Sequence, residues 1–258
     1  MSRPQDYQKI LKNRQEQMLK LVAKSFYKEL MNYGINTSDI VTVSMHLLDQ
    51  ITEKDETSSE GNGYYNKLFV IQDVQNLWNR EKKLQLENVS ISFLHPEQVP
   101  TVCQWLKNNQ IKRTFIDLLP KSRYELTQYF FEDPTRKYFG IDYRDVLVGI
   151  IGAENIDYQS RKLEMKKFVG EAGYSGKGIG KRATFLFLFY VFYILKFNKV
   201  YIHSMDTNIR NINLNSKFGF ELEGIFFQEI FKENQYYDVV RMGLLKEHWE
   251  EIFARHEK

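Results

Sequence analysis

Apolar residues change their spacing near residue 87 of this chain. Before it they recur every three or four positions: Ile10, Leu11, Met18, Leu19, Leu21, Val22, Phe26, Leu30 and Met31 predict a helix over residues 7–33 with one buried face. Gly34 is placed to end it. Thr37, Ser38 and Asp39 can cap a second helix running through Ile40, Val43, Met45, Leu47, Leu48 and Ile51. Residues 53–63, reading EKDETSSEGNG, are charged, small and loop-like. The stretch 68–84 resumes the apolar pattern and reads as helical beyond Asp73, with Trp78 in the core.

After residue 87 strands alternate with helices. Residues 89–94 form a strand pattern, and His95-Pro96-Glu97 opens a helix through Trp105, with proline at a tolerated early position. Residues 122–131 are a second helix, closed by Asp133-Pro134. Three strands follow at 137–142, 145–154 and 161–169, joined by short polar turns. A glycine loop and a strongly apolar helix come next. Then follow a strand at 199–205, a helix at 209–218 and a closing antiparallel pair at 220–232 and 236–245. No internal repeat is visible.

Composition narrows the function classes. The 258 residues are 43% hydrophobic and 27% charged, the balance of a soluble globular protein. A net charge of +3 does not provide the concentrated basic surface that nucleic acid requires. Cys103 is the single cysteine, and the histidines show no ligand spacing with acidic partners, so neither a disulfide framework nor a metal site is expected. A cytoplasmic setting fits. The apolar run ATFLFLFYVFYIL at 183–195 would reach only about 20 Å as a helix, against roughly 30 Å of hydrocarbon, so no membrane span is expected. Being apolar all round, that helix needs cover on two sides, one from a sheet and the other from further helices or a second copy of the chain, a homodimer.

The most informative segment is residues 174–182, Tyr-Ser-Gly-Lys-Gly-Ile-Gly-Lys-Arg. Gly176, Gly178 and Gly180 let backbone amides approach a ligand closely. The helix that begins there adds unpaired N–H donors and a partial positive charge, and Lys177, Lys181 and Arg182 add full ones. This is a cradle for a phosphate or pyrophosphate. It is not a Walker loop, because Gly178 stands where Ser or Thr is required and Glu171 where the first glycine should be. Its G-x-G-x-G spacing also departs from the dinucleotide fingerprint.

The loop together with Asn208-Ile-Arg-Asn211-Ile-Asn-Leu214-Asn215-Ser-Lys217-Phe-Gly219-Phe220 resembles the GNAT superfamily of acetyl-CoA-dependent N-acyltransferases. The family's first signature falls on Ser175, Gly178 and Gly180, with Ser175 replacing the usual Arg or Gln. Its second signature falls on Asn208, Lys217, Gly219 and Phe220, about thirty residues further on. The resemblance covers roughly residues 87–249, in the branch of ribosomal-protein, spermidine and nucleotide-amino-sugar N-acetyltransferases. It implies an α+β fold with a mixed, mostly antiparallel central sheet and flanking helices at 88–258. Residues 1–87 form a smaller, partly helical N-terminal unit outside the common core.

The resemblance also implies roles. Backbone groups of Phe168, Val169 and Gly170 would pair with pantetheine amides, and amides from Ser175, Gly176, Lys177, Gly178, Ile179, Gly180 and Lys181 would hold the pyrophosphate. Asn208 would contact the cofactor arm or cap the following helix. Asn215 occupies the place where many relatives carry an acidic tyrosine. Glu164 is the first candidate for the general base and Glu171 the second; Tyr174 or a bound water would serve as proton donor, unless the thiolate leaves unassisted. Glu164 can equally be a strand residue paired with Lys166 or Arg161, and His203 on the next strand can point into the cleft, though a histidine in a strand is more often a structural group. The implied activity is transfer of an acetyl group from acetyl-CoA to a primary amine of a small molecule, an amino-sugar nucleotide or a polyamine, in a ternary complex. Two alternatives stay open: an acyl-CoA-binding scaffold without turnover, and an acyltransferase whose donor is an acyl carrier protein docked on residues 1–87.

Overall fold

Alternating burial runs through the second part of the chain, as strands require. The computed structural model describes residues 4–32, 34–36, 39–40, 63–107, 119–120, 122–170, 172–174, 176–205, 208–232 and 234–254. Most of the second predicted helix, the loop at 53–62, Glu171 and Ser175 lie outside them. Nine strands form one sheet: β1 Gln75–Leu77, β2 Lys83–Leu86, β3 Val89–Phe93, β4 Lys137–Tyr143, β5 Val146–Asp157, β6 Lys162–Val169, β7 Lys199–Met205, β8 Glu221–Lys232 and β9 Gln235–Leu245. Their spatial order is β1-β2-β3-β4-β5-β6-β7-β9-β8. Steps from β1 to β6 are antiparallel, and β6 to β7 is parallel. The described helices are α1 Pro4–Asn32, α2 Trp78–Glu81, α3 Val99–Trp105, α4 Arg123–Phe131, α5 Ile179–Phe189, α6 Ile209–Ser216 and α7 Lys246–Phe253.

The helix expected beyond Asp73 is instead a small hairpin, β1-α2-β2, with Gln75 opposite Gln85 and Leu77 opposite Lys83. The Asn76 side chain accepts from the Trp78 amide at 3.1 Å and starts a single helical turn. Lys82 then takes a left-handed φ of 52° and ends it. Leu84 and Leu86 are buried while Lys83 and Gln85 are not, a period of two that overrides the helical spacing further upstream. The helix at 122–131 forms as expected, because Ser122 accepts from the Glu125 amide while Glu125 accepts in return from the Ser122 amide.

The chain divides into two compact units. The smaller comprises Met1–Gly63, Ser204–Asn213 and Ile225–Val240. Within it, the Lys24 ammonium meets the Asp238 carboxylate at 2.9 Å, and the Gln228 amide donates to the same carboxylate. The larger comprises Tyr64–His203, Leu214–Gly224 and Arg241–Lys258. Its core is built on α5, whose residues from Ala183 to Phe189 are all buried. Phe187 faces Phe139 of β4, and Phe185 is surrounded by Phe69, Trp249 and Phe253 at 5.1–5.3 Å between rings. The second cover that the apolar helix needs is therefore supplied within the chain, by α7 and the segment before β1. The helix continues past Phe189 as one wider π turn, Tyr190–Ile194, and Lys196 closes it at φ 57°. Among the described residues no helix is long and apolar enough to cross a membrane.

Phe185→Ala should lower unfolding stability by about 3–5 kcal/mol, the usual cost of emptying a fully buried phenylalanine site. A urea titration followed by tryptophan fluorescence would measure it.

Candidate active site

Two features of the larger unit meet at β6: a glycine loop at its far end and a charged cluster at its centre. In the loop, Gly176 and Gly178 take φ values of 82° and 72°, conformations that glycine adopts without strain. Gly178 is the N-cap of α5, and its carbonyl accepts from the Lys181 and Arg182 amides, each at 3.1 Å. The amides of Ile179 and Gly180 precede that first bond and have no carbonyl one turn back. A Cβ at Gly178 would stand 2.7 Å from the tip of the flexible Arg182 side chain, which can yield, so it is the left-handed turn that demands glycine. Arg182 itself is held by Glu87, at 3.0 and 2.6 Å. Tyr174 packs edge-on against Tyr143, with the Lys177 ammonium 4.5 Å from its ring centre.

At the end of β6, Val169 is opposite Gly149 of β5, and the Gly170 amide donates to Val148. Phe168 is buried edge-on against Trp105. Trp105 lies so close to Gly170 that a Cβ there would come within 2.1 Å of the indole. On its other edge β6 pairs with β7 through Lys162↔Lys199, Leu163↔Val200 and Glu164↔Tyr201. The parallel register stops there. His203 is the next residue of β7 on the face shared by Glu164 and Tyr201.

Glu164 is only 2% exposed. One of its oxygens lies 2.7 Å from the Lys166 ammonium and 3.0 Å from His203 Nδ1, and the other accepts from the Asn155 amide at 2.9 Å. Burial alone would raise its pKa, but the His203 hydrogen bond and the Lys166 charge outweigh burial and hold it at about 2. With the carboxylate ionised and only able to accept, His203 Nδ1 is the donor in this contact. Directly across the strand pair from Glu164 is Glu154, also buried, whose carboxylate accepts from the hydroxyls of Tyr129 and Tyr138. Burial and these bonds push both phenols up. Tyr201, beside His203, carries the Arg241 guanidinium 4.0 Å over its ring, and Glu223 pairs with Arg241 and Lys199. On the opposite face of β6, Lys167 donates to Thr184 of α5, and burial lowers its pKa to about 8.

The other expected residues are placed as follows. Asn208 caps α6, its side-chain oxygen accepting from the Asn211 amide at 3.3 Å. Asn215 is buried, and its carbonyl accepts from Phe218 and Phe220 where α6 ends. The sequence alone did not single out Glu154, Asn155 or Lys167, and it favoured a structural His203 over one facing the cleft. Alternation along β6 puts Glu164 and Lys166 on one face, but nothing local reveals that His203 lies opposite them.

A glycine cradle at a helix start, following a strand that parts from its parallel neighbour, is the arrangement the acyltransferase resemblance requires. The profile of the acetyltransferase (GNAT) domain matches residues 101–240, more than half of the chain. The chain belongs to the GNAT acetyltransferase family. It is 25% identical over 162 residues to the spermidine N(1)-acetyltransferase of Escherichia coli K12, covering 62% of this chain and 87% of that one. It is 26% identical over 168 residues to the SPbeta prophage-derived N-acetyltransferase YokL of Bacillus subtilis, covering 64% and 93%. The crystal structure of the Vibrio cholerae spermidine N-acetyltransferase, in complex with CoA and spermine, shares the fold with a TM-score of 0.59 at 24% identity, covering 63% of this chain and 98% of that one. This GNAT protein is an acyltransferase, and its sheet is the mixed, mostly antiparallel one that the resemblance implied.

The depressed Glu164 pKa stabilises the folded state above the carboxyl's ordinary value of 4.5, and this contribution disappears as pH falls towards 2. Between pH 6 and pH 3 the wild type should therefore lose about 2 kcal/mol more stability than Glu164→Gln. Urea midpoints at both pH values test this. Parallel losses would remove the ion pair as the cause.

Proposed function

We propose that the protein transfers the acetyl group of acetyl-CoA to a primary amine of a polyamine, directly within a ternary complex. One observation carries the choice of acceptor class. Two buried carboxylates, Glu154 and Glu164, stand opposite each other beside the point where β6 and β7 part. They set a negative potential at the floor of that opening, which suits a polycation. The spermidine acetyltransferases among the relatives support the same acceptor. Residues 88–258 form the catalytic domain in this reading and residues 1–87 an accessory part, which lends β1 and β2 to the sheet.

In this mechanism amides of the glycine loop, from Gly176 to Gly180, hold the pyrophosphate, and the β6 edge beyond Glu164, through Gly170, receives the pantetheine arm as an added strand would. The neutral amine attacks the thioester carbonyl, and its proton must leave as the C–N bond forms. A carboxylate at about 2 is a weak proton acceptor. Glu164 therefore acts through His203: it orients the imidazole by Nδ1 and stabilises the imidazolium, while Nε2 takes the proton. Collapse of the tetrahedral intermediate breaks the C–S bond and releases CoA as a thiolate, whose ordinary pKa near 8.5 makes unassisted departure feasible.

A thiol-release assay with acetyl-CoA and separate spermidine, spermine, amino-sugar nucleotide and peptide acceptors tests the reading. Release with the polyamines is expected, and release confined to another acceptor would overturn it. His203→Gln should lower kcat by about 10²–10⁴ with acetyl-CoA affinity unchanged, the usual range for a lost general base. An unaltered kcat would return His203 to a structural role.

A further inference from the structure

Around the glycine loop the cations are not equivalent. Arg182 is neutralised by Glu87. Among the described residues, Lys177, Lys181 and Lys217 meet no carboxylate, and each rests against a tyrosine ring instead. Two of them share one ring. The Lys181 ammonium is 4.6 Å from the centre of Tyr65, and that of Lys217 is 5.7 Å from it. The two positive charges therefore lie no more than about 10 Å apart with no anion between them.

Tyr65 is well anchored for this task. It is buried, packs edge-on against Phe218 at 5.0 Å and Phe69 at 6.1 Å, and its amide donates to the Lys217 carbonyl at 2.9 Å. It precedes the first strand and lies outside the stretch that matches the family profile. Lys181 belongs to the first turn of α5, and Lys217 to the turn after α6. The tyrosine thus gathers cations from two helices that are distant in sequence. Holding like charges together without a counter-ion is unfavourable, and a multiply charged anion would relieve it.

The acetyl-CoA reading above, on which this inference rests, supplies the chemistry. The pyrophosphate and the 3′-phosphate of CoA hang from opposite sides of one ribose. A donor whose pyrophosphate sits on the α5 amides must carry its phosphomonoester within one sugar of Lys181. We propose that Lys181 and Lys217, set around Tyr65, form the subsite for the 3′-phosphate of the donor. The segment before the sheet then takes part in choosing the donor, through a phosphomonoester dianion paired with two ammonium groups.

Titration calorimetry with CoA and 3′-dephospho-CoA tests the proposal, because the two ligands differ only in that phosphate. The wild type should bind CoA about ten- to a hundredfold more tightly, the range for charge-assisted hydrogen bonds. Lys217→Ala, at an exposed side chain, should cut the preference at least several-fold by weakening CoA alone, and Lys217→Arg should keep most of it. Equal affinity of the wild type for both ligands overturns the subsite while leaving the acetyl-CoA reading intact. A Lys217→Ala variant that weakens both ligands to the same degree overturns it too. Failure of both ligands to bind overturns both readings.

Discussion

A carboxylate that stays ionised inside the protein governs the centre of this site. Removing Glu164 from water is costly, and Lys166, Asn155 and His203 together offset that cost. Each comes from a different stretch of chain: Lys166 from the same strand, Asn155 from a bulge in β5 and His203 from β7. The charge therefore ties three neighbouring strands together at the place where the parallel register ends. The end of the β6–β7 register is bordered by an ion-pair network that is part of the fold.

The opposing pair of carboxylates follows the same logic. Glu154 and Glu164 face each other across antiparallel strands, a pairing that is unfavourable for like charges. They are tolerated because each has its own partners, two phenols for Glu154, and an ammonium, an imidazole and a side-chain amide for Glu164.

What was legible in the sequence had local causes. The Ser122 cap, the strands at 137–169 and the glycine loop depend on residues close in the chain, and the second signature was readable as a fixed spacing. The β1-α2-β2 hairpin was not, because it depends on the Asn76 side chain and on a non-glycine residue, Lys82, in a left-handed conformation. The His203–Glu164 contact depends on the β6–β7 register, set across the whole length of α5. The Tyr65 cluster joins residues more than a hundred positions apart. Periodicity carries no trace of either.

Gly170 has no need of glycine's backbone freedom, since its φ lies in the ordinary range. Its identity is imposed by a neighbour: the Trp105 indole occupies the volume that any side chain would need. The flat ring bearing directly on bare peptide works as a mechanical stop, indexing α3 to the tip of β6. The separation between the end of α3 and the tip of β6 is then fixed by an aromatic thickness.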